Sequence, residues 1–134
     1  MSLMQIFDIA GSAVSAQSQR LNAVASNIAN ADTAAAPGTQ AYRAKQVVFQ
    51  AVPMAGAAAQ GVRVIQIAND NTEAPLRHDP HHPFANKDGY VSFSNVNVVE
   101  EMVNMIAASR SYQNNIETMN TAKTLMLKTL QLGT

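Results

Sequence analysis

The chain has 134 residues, a formal net charge of +0 and no cysteine. That size suits one modest domain, and balanced charge gives no field to attract nucleic acid or an anionic membrane. Disulfides and thiolate metal sites are excluded, and no apolar run is long enough to span a bilayer.

Only 13% of residues are charged, about half the ~25% of an average soluble domain. Twelve Asn and ten Gln take their place. An amide-rich surface loses less on being covered than a charged one, because unpaired buried charge is the costly case. The opening Met1-Ser2-Leu3-Met4-Gln5-Ile6-Phe7-Asp8 has no basic region and an early acid, unlike a Sec-type signal peptide. Export, if it occurs, is expected to use no cleaved leader.

Residues 1–31 read as a helix. Ser2 with Gln5 forms a capping-box pattern. A stripe then runs through Leu3, Phe7, Ala10, Val14, Gln17, Leu21, Val24, Ile28 and Ala31 at alternating spacings of four and three, the signature of a coiled-coil seam. Gln17 is its polar member, a type that fixes register more than it adds stability. The predicted helix is about 43 Å long.

Residues 32–41 read as a loop around Pro37-Gly38. Strands are predicted at Tyr42 to Val52, Val62 to Ile67 and Tyr90 to Phe93, the last entered through Asp88-Gly89. An Ala/Gly-rich stretch (53–61) separates the first two. Asn69 to Lys87, with Pro75, Pro80 and Pro83, reads as an extended, proline-stiffened loop.

A second helix is predicted over 97–134. Asn97 and Glu100 supply a cap, and Glu100 and Glu101 sit where the helix dipole favours negative charge. Its stripe is Met102, Met105, Ile106, Ser109, Tyr112, Ile116, Met119, Met126, Leu127 and Leu130, interrupted by Lys123. Gly133 allows the helix to stop. The expected fold is α+β: two long terminal helices, paired in coiled-coil fashion as one structural unit, flanking a small antiparallel β module (32–96) with long loops.

Chemistry is sparse. His78, His81 and His82 with Asp79 are the one cluster resembling a metal site, but adjacent histidines in a proline loop seldom converge tetrahedrally. A polar loop is the better reading. No phosphate-binding glycine loop or nucleophile motif occurs, and the nine basic residues are scattered rather than set on one face. No catalytic residue, cofactor or metal ligand is assigned, and neither nucleic acid nor direct membrane insertion is expected.

The ends carry a family resemblance. Ala25-Ser26-Asn27-Ile28-Ala29-Asn30-Ala31-Asp32-Thr33 resembles the N-terminal motif of bacterial flagellar axial proteins, the rod, hook and junction subunits. Asp88-Gly89-Tyr90-Val91 and Asn95-Val96-Asn97-Val98-Val99-Glu100-Glu101 through Asn115 resemble their C-terminal region. Residues 34–41, inserted before Tyr42-Arg43, resemble the proximal-rod branch, although Ala41 stands where Gly or Pro is usual. The resemblance implies a self-assembling rod subunit of the basal body, crossing the periplasm, transmitting torque and lining the export channel. It also implies delivery by the flagellar type III export apparatus. Implied partners are other copies, neighbouring rod subunits and the adaptor between rod and membrane ring. The expected assembly surface is Leu3, Phe7, Val14, Gln17, Leu21, Val24 and Ile28 with Met102, Met105, Ile106, Tyr112, Ile116, Met119, Leu127 and Leu130. The motif residues are Ser26, Asn27, Asn30, Asp32, Thr33, Tyr42, Asp88, Gly89, Tyr90, Asn95, Asn97, Glu100 and Glu101. The competing expectation is a soluble helical-hairpin binding module or export adaptor.

Overall fold

The computed structural model describes residues 2–56 and 58–134. Met1, the first residue of the expected N-terminal helix, and Ala57, in the Ala/Gly-rich stretch, lie outside the described residues. Seven elements follow in order: α1 (Leu3–Ala29), β1 (Ala34–Ala35), β2 (Lys45–Pro53), β3 (Gln60–Asn69), β4 (Leu76–His78), β5 (Tyr90–Phe93) and α2 (Val98–Leu132). The α+β plan of two long helices around small sheets is therefore present.

Both helix starts form as their sequences specify. Ser2 N–H donates to Gln5 Oε1 at 2.8 Å and Gln5 N–H donates to Ser2 Oγ at 3.2 Å, which closes the reciprocal capping box. Asn97 Oδ1 accepts from the amides of Val99 (3.1 Å) and Glu100 (3.3 Å), satisfying two donors that a helix start leaves unpaired. At the other end α2 stops at Leu132, directly before Gly133, as expected. Positive φ occurs at Gly38, Gly56 and Gly89, not at Gly133.

The expected single β module is two separate sheets. β2 and β3 form a two-stranded sheet, and the short link from Pro53 to Gln60 requires a hairpin, since a parallel crossover needs about a dozen residues or more. The other sheet has the order β1-β5-β4 with both pairings antiparallel, in register Ala35↔Ser92 and Arg77↔Val91. Its outer strands fall inside stretches read as loop, 32–41 and 69–87. Strands of two and three residues are too short to show periodicity, and they exist because β5 offers both edges.

By compactness the chain divides into two units, each drawn from separate segments: residues 1–21, 47–66 and 106–134, and residues 22–46 and 67–105. These cut across the successive segments 1–31, 32–96 and 97–134. In the first unit the helices run antiparallel. Leu3 and Ile6 share an open groove of about 250 Å³ with Thr121, Ala122 and Leu125, and Ile9 and Ala10 share one of about 440 Å³ with Asn115 and Thr118. A methyl on Gly11 would meet Met119 Cε at 3.8 Å, an ordinary van der Waals contact between the two helices. Among the described residues its buried apolar side chains are alanines: Ala10, Ala16, Ala59, Ala108 and Ala122. Ser12 joins α1 to the hairpin by accepting from Val62 N–H at 3.1 Å.

The second unit holds the three-stranded sheet, and Val91 on its central strand is 0% exposed. Pro37-Gly38 makes a turn in which Thr39 N–H donates to Ala36 O at 3.0 Å, with Gly38 at φ 79°, the left-handed state that glycine adopts without penalty. On α2 only Glu101, Ala108 and Ala122 are buried. Of the expected stripe, Met105, Ser109, Tyr112, Ile116, Met119 and Met126 are half-buried, whereas Met102, Ile106, Leu127 and Leu130 are exposed.

Candidate functional site

The motif residues near the two helix ends meet in the second unit around Asn27, which is 0% exposed. Its Nδ2 donates to Lys45 O (2.9 Å) and to Glu101 Oε2 (3.1 Å), while Oδ1 accepts from Lys45 N–H (2.8 Å) and the Tyr42 hydroxyl (2.9 Å). An amide has two donors and room for two acceptor contacts, so Asn27 is saturated. It grips both backbone groups of the first residue of β2 as a neighbouring strand would, and it joins α1 to the start of α2. Because Tyr42 donates to Asn27, the Ser26 hydroxyl, 3.0 Å away, is the donor to Tyr42.

Asn95 makes a second clamp. Its Oδ1 accepts from Ala44 N–H at 2.8 Å, and its Nδ2 donates to Asp70 O (3.2 Å) and Thr72 O (3.0 Å). Asp70 N–H donates to Ala44 O at 2.7 Å. Arg43 adds a bond to Asn71 Oδ1 at 2.8 Å. Hydrogen bonds from the Thr72 hydroxyl and amide, helped by Arg43, hold the Asp70 carboxyl below its usual range. Asn30 closes the end of α1 by donating to Ser26 O at 2.8 Å, and Thr33 O accepts from Ser94 N–H at 3.2 Å. Asp32 is exposed, outside this network.

The Asp88-Gly89-Tyr90 motif forms a separate turn. Asn86 Oδ1 accepts from the amides of Asp88 and Tyr90, and Gly89 sits at φ 80°, where a methyl would crowd Pro80 Cγ and His78 Nε2 at 3.1 and 3.2 Å. The histidines pack against rings. His78 meets Tyr90 edge-on at 5.0 Å, and His82 lies near Phe84 and Phe93 with its Nδ1 accepting from Phe84 N–H. Among the described residues, no three His, Cys, Asp or Glu side chains gather as a metal site.

The structure divides the expected assembly residues. On α1, Val24 is buried, and Leu3, Phe7, Val14, Gln17, Leu21 and Ile28 are half-buried. Gln17 Oε1 is shielded without a hydrogen-bond partner. On α2, Met105, Tyr112, Ile116 and Met119 are half-buried, whereas Met102, Ile106, Leu127 and Leu130 are exposed. Val99, Val103, Leu125 and Leu132 are also exposed apolar residues on α2. Sequence reasoning passed over them, although Val99, Val103 and Ile106 follow the spacing of one helical face.

Residues 7–36 match the family model described as flagella basal body rod protein, and residues 87–132 match that of the flagellar basal body rod FlgEFG protein C-terminal region. These two matches contain the Asn27 clamp residues of both helices and define a structural subunit of the bacterial flagellar rod. The chain is 59% identical to the flagellar basal-body rod protein FlgC of Yersinia enterocolitica over 133 residues, 99% of each chain. It is 56% identical to that of Escherichia coli O157:H7 and 55% to that of Salmonella typhimurium, again over 99% of each. The chain belongs to the FlgC family of flagellar basal-body rod proteins.

Proposed function

We propose that the chain builds the proximal part of the rod by polymerising through its terminal helices, transmits torque and lines the export channel. Its role is structural rather than enzymatic. Its partners are other copies, adjoining rod subunits and the adaptor to the membrane ring, and the flagellar type III apparatus carries it to its periplasm-spanning position. The observation that carries this reading is the bare end of α2: every residue from Leu127 onward is exposed, including Leu127, Leu130 and Leu132. A 35-residue helix, about 52 Å long, does not keep apolar turns in water without a partner.

Replacing Leu130 by Asp in a strain lacking the wild-type copy tests this. The exposed position leaves the fold intact, as circular dichroism of the purified chain will show, while swimming is lost. Normal swimming would contradict the assembly role. A discrete monomer that never enters basal bodies would favour the soluble binding module instead.

A further inference from the structure

We propose that the chain carries a self-cleavage site at the Asp79–Pro80 bond, broken by the Asp79 carboxylate itself. This stands apart from the assembly reading and adds an activity to it, one cut per chain without turnover. Asp79 and Pro80 open the link from β4 to β5, and both are exposed, as are His78 and His81. The backbone around the bond is held. Asp79 N–H donates to Gly89 O at 2.8 Å, and Asp79 O, the carbonyl of the bond, accepts from His82 N–H at 3.1 Å. The side chain is not held. At two other turns the side-chain oxygen of the leading residue is engaged: Asp70 Oδ1 accepts from Thr72 N–H, and Asn86 Oδ1 from Asp88 N–H. The Asp79 carboxylate has no hydrogen bond or ion pair among the described residues, so it is free to turn on its own carbonyl.

That attack closes a cyclic anhydride. A carboxylate lone pair bonds to the Asp79 carbonyl carbon, and the C=O electrons move onto the oxygen that His82 N–H already contacts. A donor placed there stabilises the charge as it develops. Collapse of the intermediate expels the Pro80 nitrogen. This is a tertiary amide with no N–H, more basic than an ordinary peptide nitrogen, and it departs as a secondary amine after taking a proton. His78 Nε2 and Pro80 Cγ lie 3.2 and 3.1 Å from one point, the place a Gly89 Cβ would occupy, so an imidazole stands beside the leaving ring to supply that proton. Water then opens the anhydride, leaving Asp79 as a carboxyl terminus and Pro80 as an amino terminus. Water is the one co-reactant. The other titratable groups along this turn and on β5 are His81, His82, Lys87, Asp88 and Tyr90. The break falls between β4 and β5, whose pairing (Arg77↔Val91, His78↔Tyr90) holds the two pieces together.

The purified full-length chain, kept at a mildly acidic pH where circular dichroism shows it folded, is followed by intact mass spectrometry. Fragments 1–79 and 80–134 are expected, eluting together without denaturant and apart in it. The same solution in urea gives the background rate of an unstructured Asp–Pro bond. The folded chain is expected to cut about a hundredfold faster, the usual loss when one such donor is removed. Equal or faster cutting in urea would mean ordinary acid lability and overturn the proposal, as would no cutting at all. Asp79→Ala keeps both backbone hydrogen bonds but loses the nucleophile, and Pro80→Ala keeps the nucleophile but loses the basic leaving group. Both variants should stay intact. A cut between residues 79 and 80 in Asp79→Ala would assign the break to a protease or to water acting directly, and would overturn the proposal too.

Discussion

Asn27→Ala is the perturbation whose cost can be worked most fully from the structure. It deletes four hydrogen bonds at a side chain with no exposed surface. Three are between neutral groups, at about 1 kcal/mol net each, and the bond to the Glu101 carboxylate contributes roughly 1.5–3 kcal/mol. The sum of about 5 kcal/mol is an upper bound. Lys45 is an exposed residue, so water can reach its released N–H and C=O, and about 3 kcal/mol is expected to remain. Against roughly 7–20 kcal/mol for a chain of this length, that is a large share. In urea, with a slope near 2 kcal/mol/M, the midpoint falls by about 1.5 M. Hydrogen exchange at the Lys45 amide should accelerate in the same variant. Asn27→Asp should do no better than Ala, since it loses both donors and turns a carboxylate toward Glu101. A loss under about 1 kcal/mol, with Lys45 still protected, would refute the clamp as a source of stability.

Gly89→Ala should destabilise by more than Gly38→Ala. Both glycines have positive φ, a cost of about 1 kcal/mol for a side chain, but only Gly89 has Pro80 and His78 in the way of a methyl; thermal melts compare them, and equal losses would contradict the contact argument. Asn97→Ala should cost about 1 kcal/mol through loss of the α2 cap, read by urea denaturation. The Asp70 carboxyl should titrate below the ordinary aspartate range, and Thr72→Val should bring it back, as followed by carbon NMR. A lowered folded-state pKa gives stability that is present above the unfolded value and lost as pH falls through the folded one. Acid destabilisation at this turn should therefore weaken in Asp70→Asn.

What the sequence disclosed depended on how local each signal was. The Ser2–Gln5 box, the Asn97 cap, the turn at Asp88-Gly89 and β5 are set by neighbours within a few residues, and all formed as read. β1 and β4 are created by pairing with a distant strand, so their own residues carried no pattern. On α2, large apolar residues suggested one packed face. The face of least exposure uses Ala108 and Ala122 because close helix approach favours small side chains, and it leaves several of the larger residues outside. The Asn27 motif was legible as a family mark, but its physical purpose was not. Asn27 and Glu101 are 74 residues apart, and only folding shows the amide closing on the β2 backbone.

The most direct measurement is a quantitative mass-spectrometric inventory of basal bodies isolated from the source cells. A rod subunit is expected there at a fixed ratio to the other rod proteins, retained after the membranes are stripped away. Absence of the chain from washed basal bodies, with the chain abundant in the soluble fraction, would contradict the account.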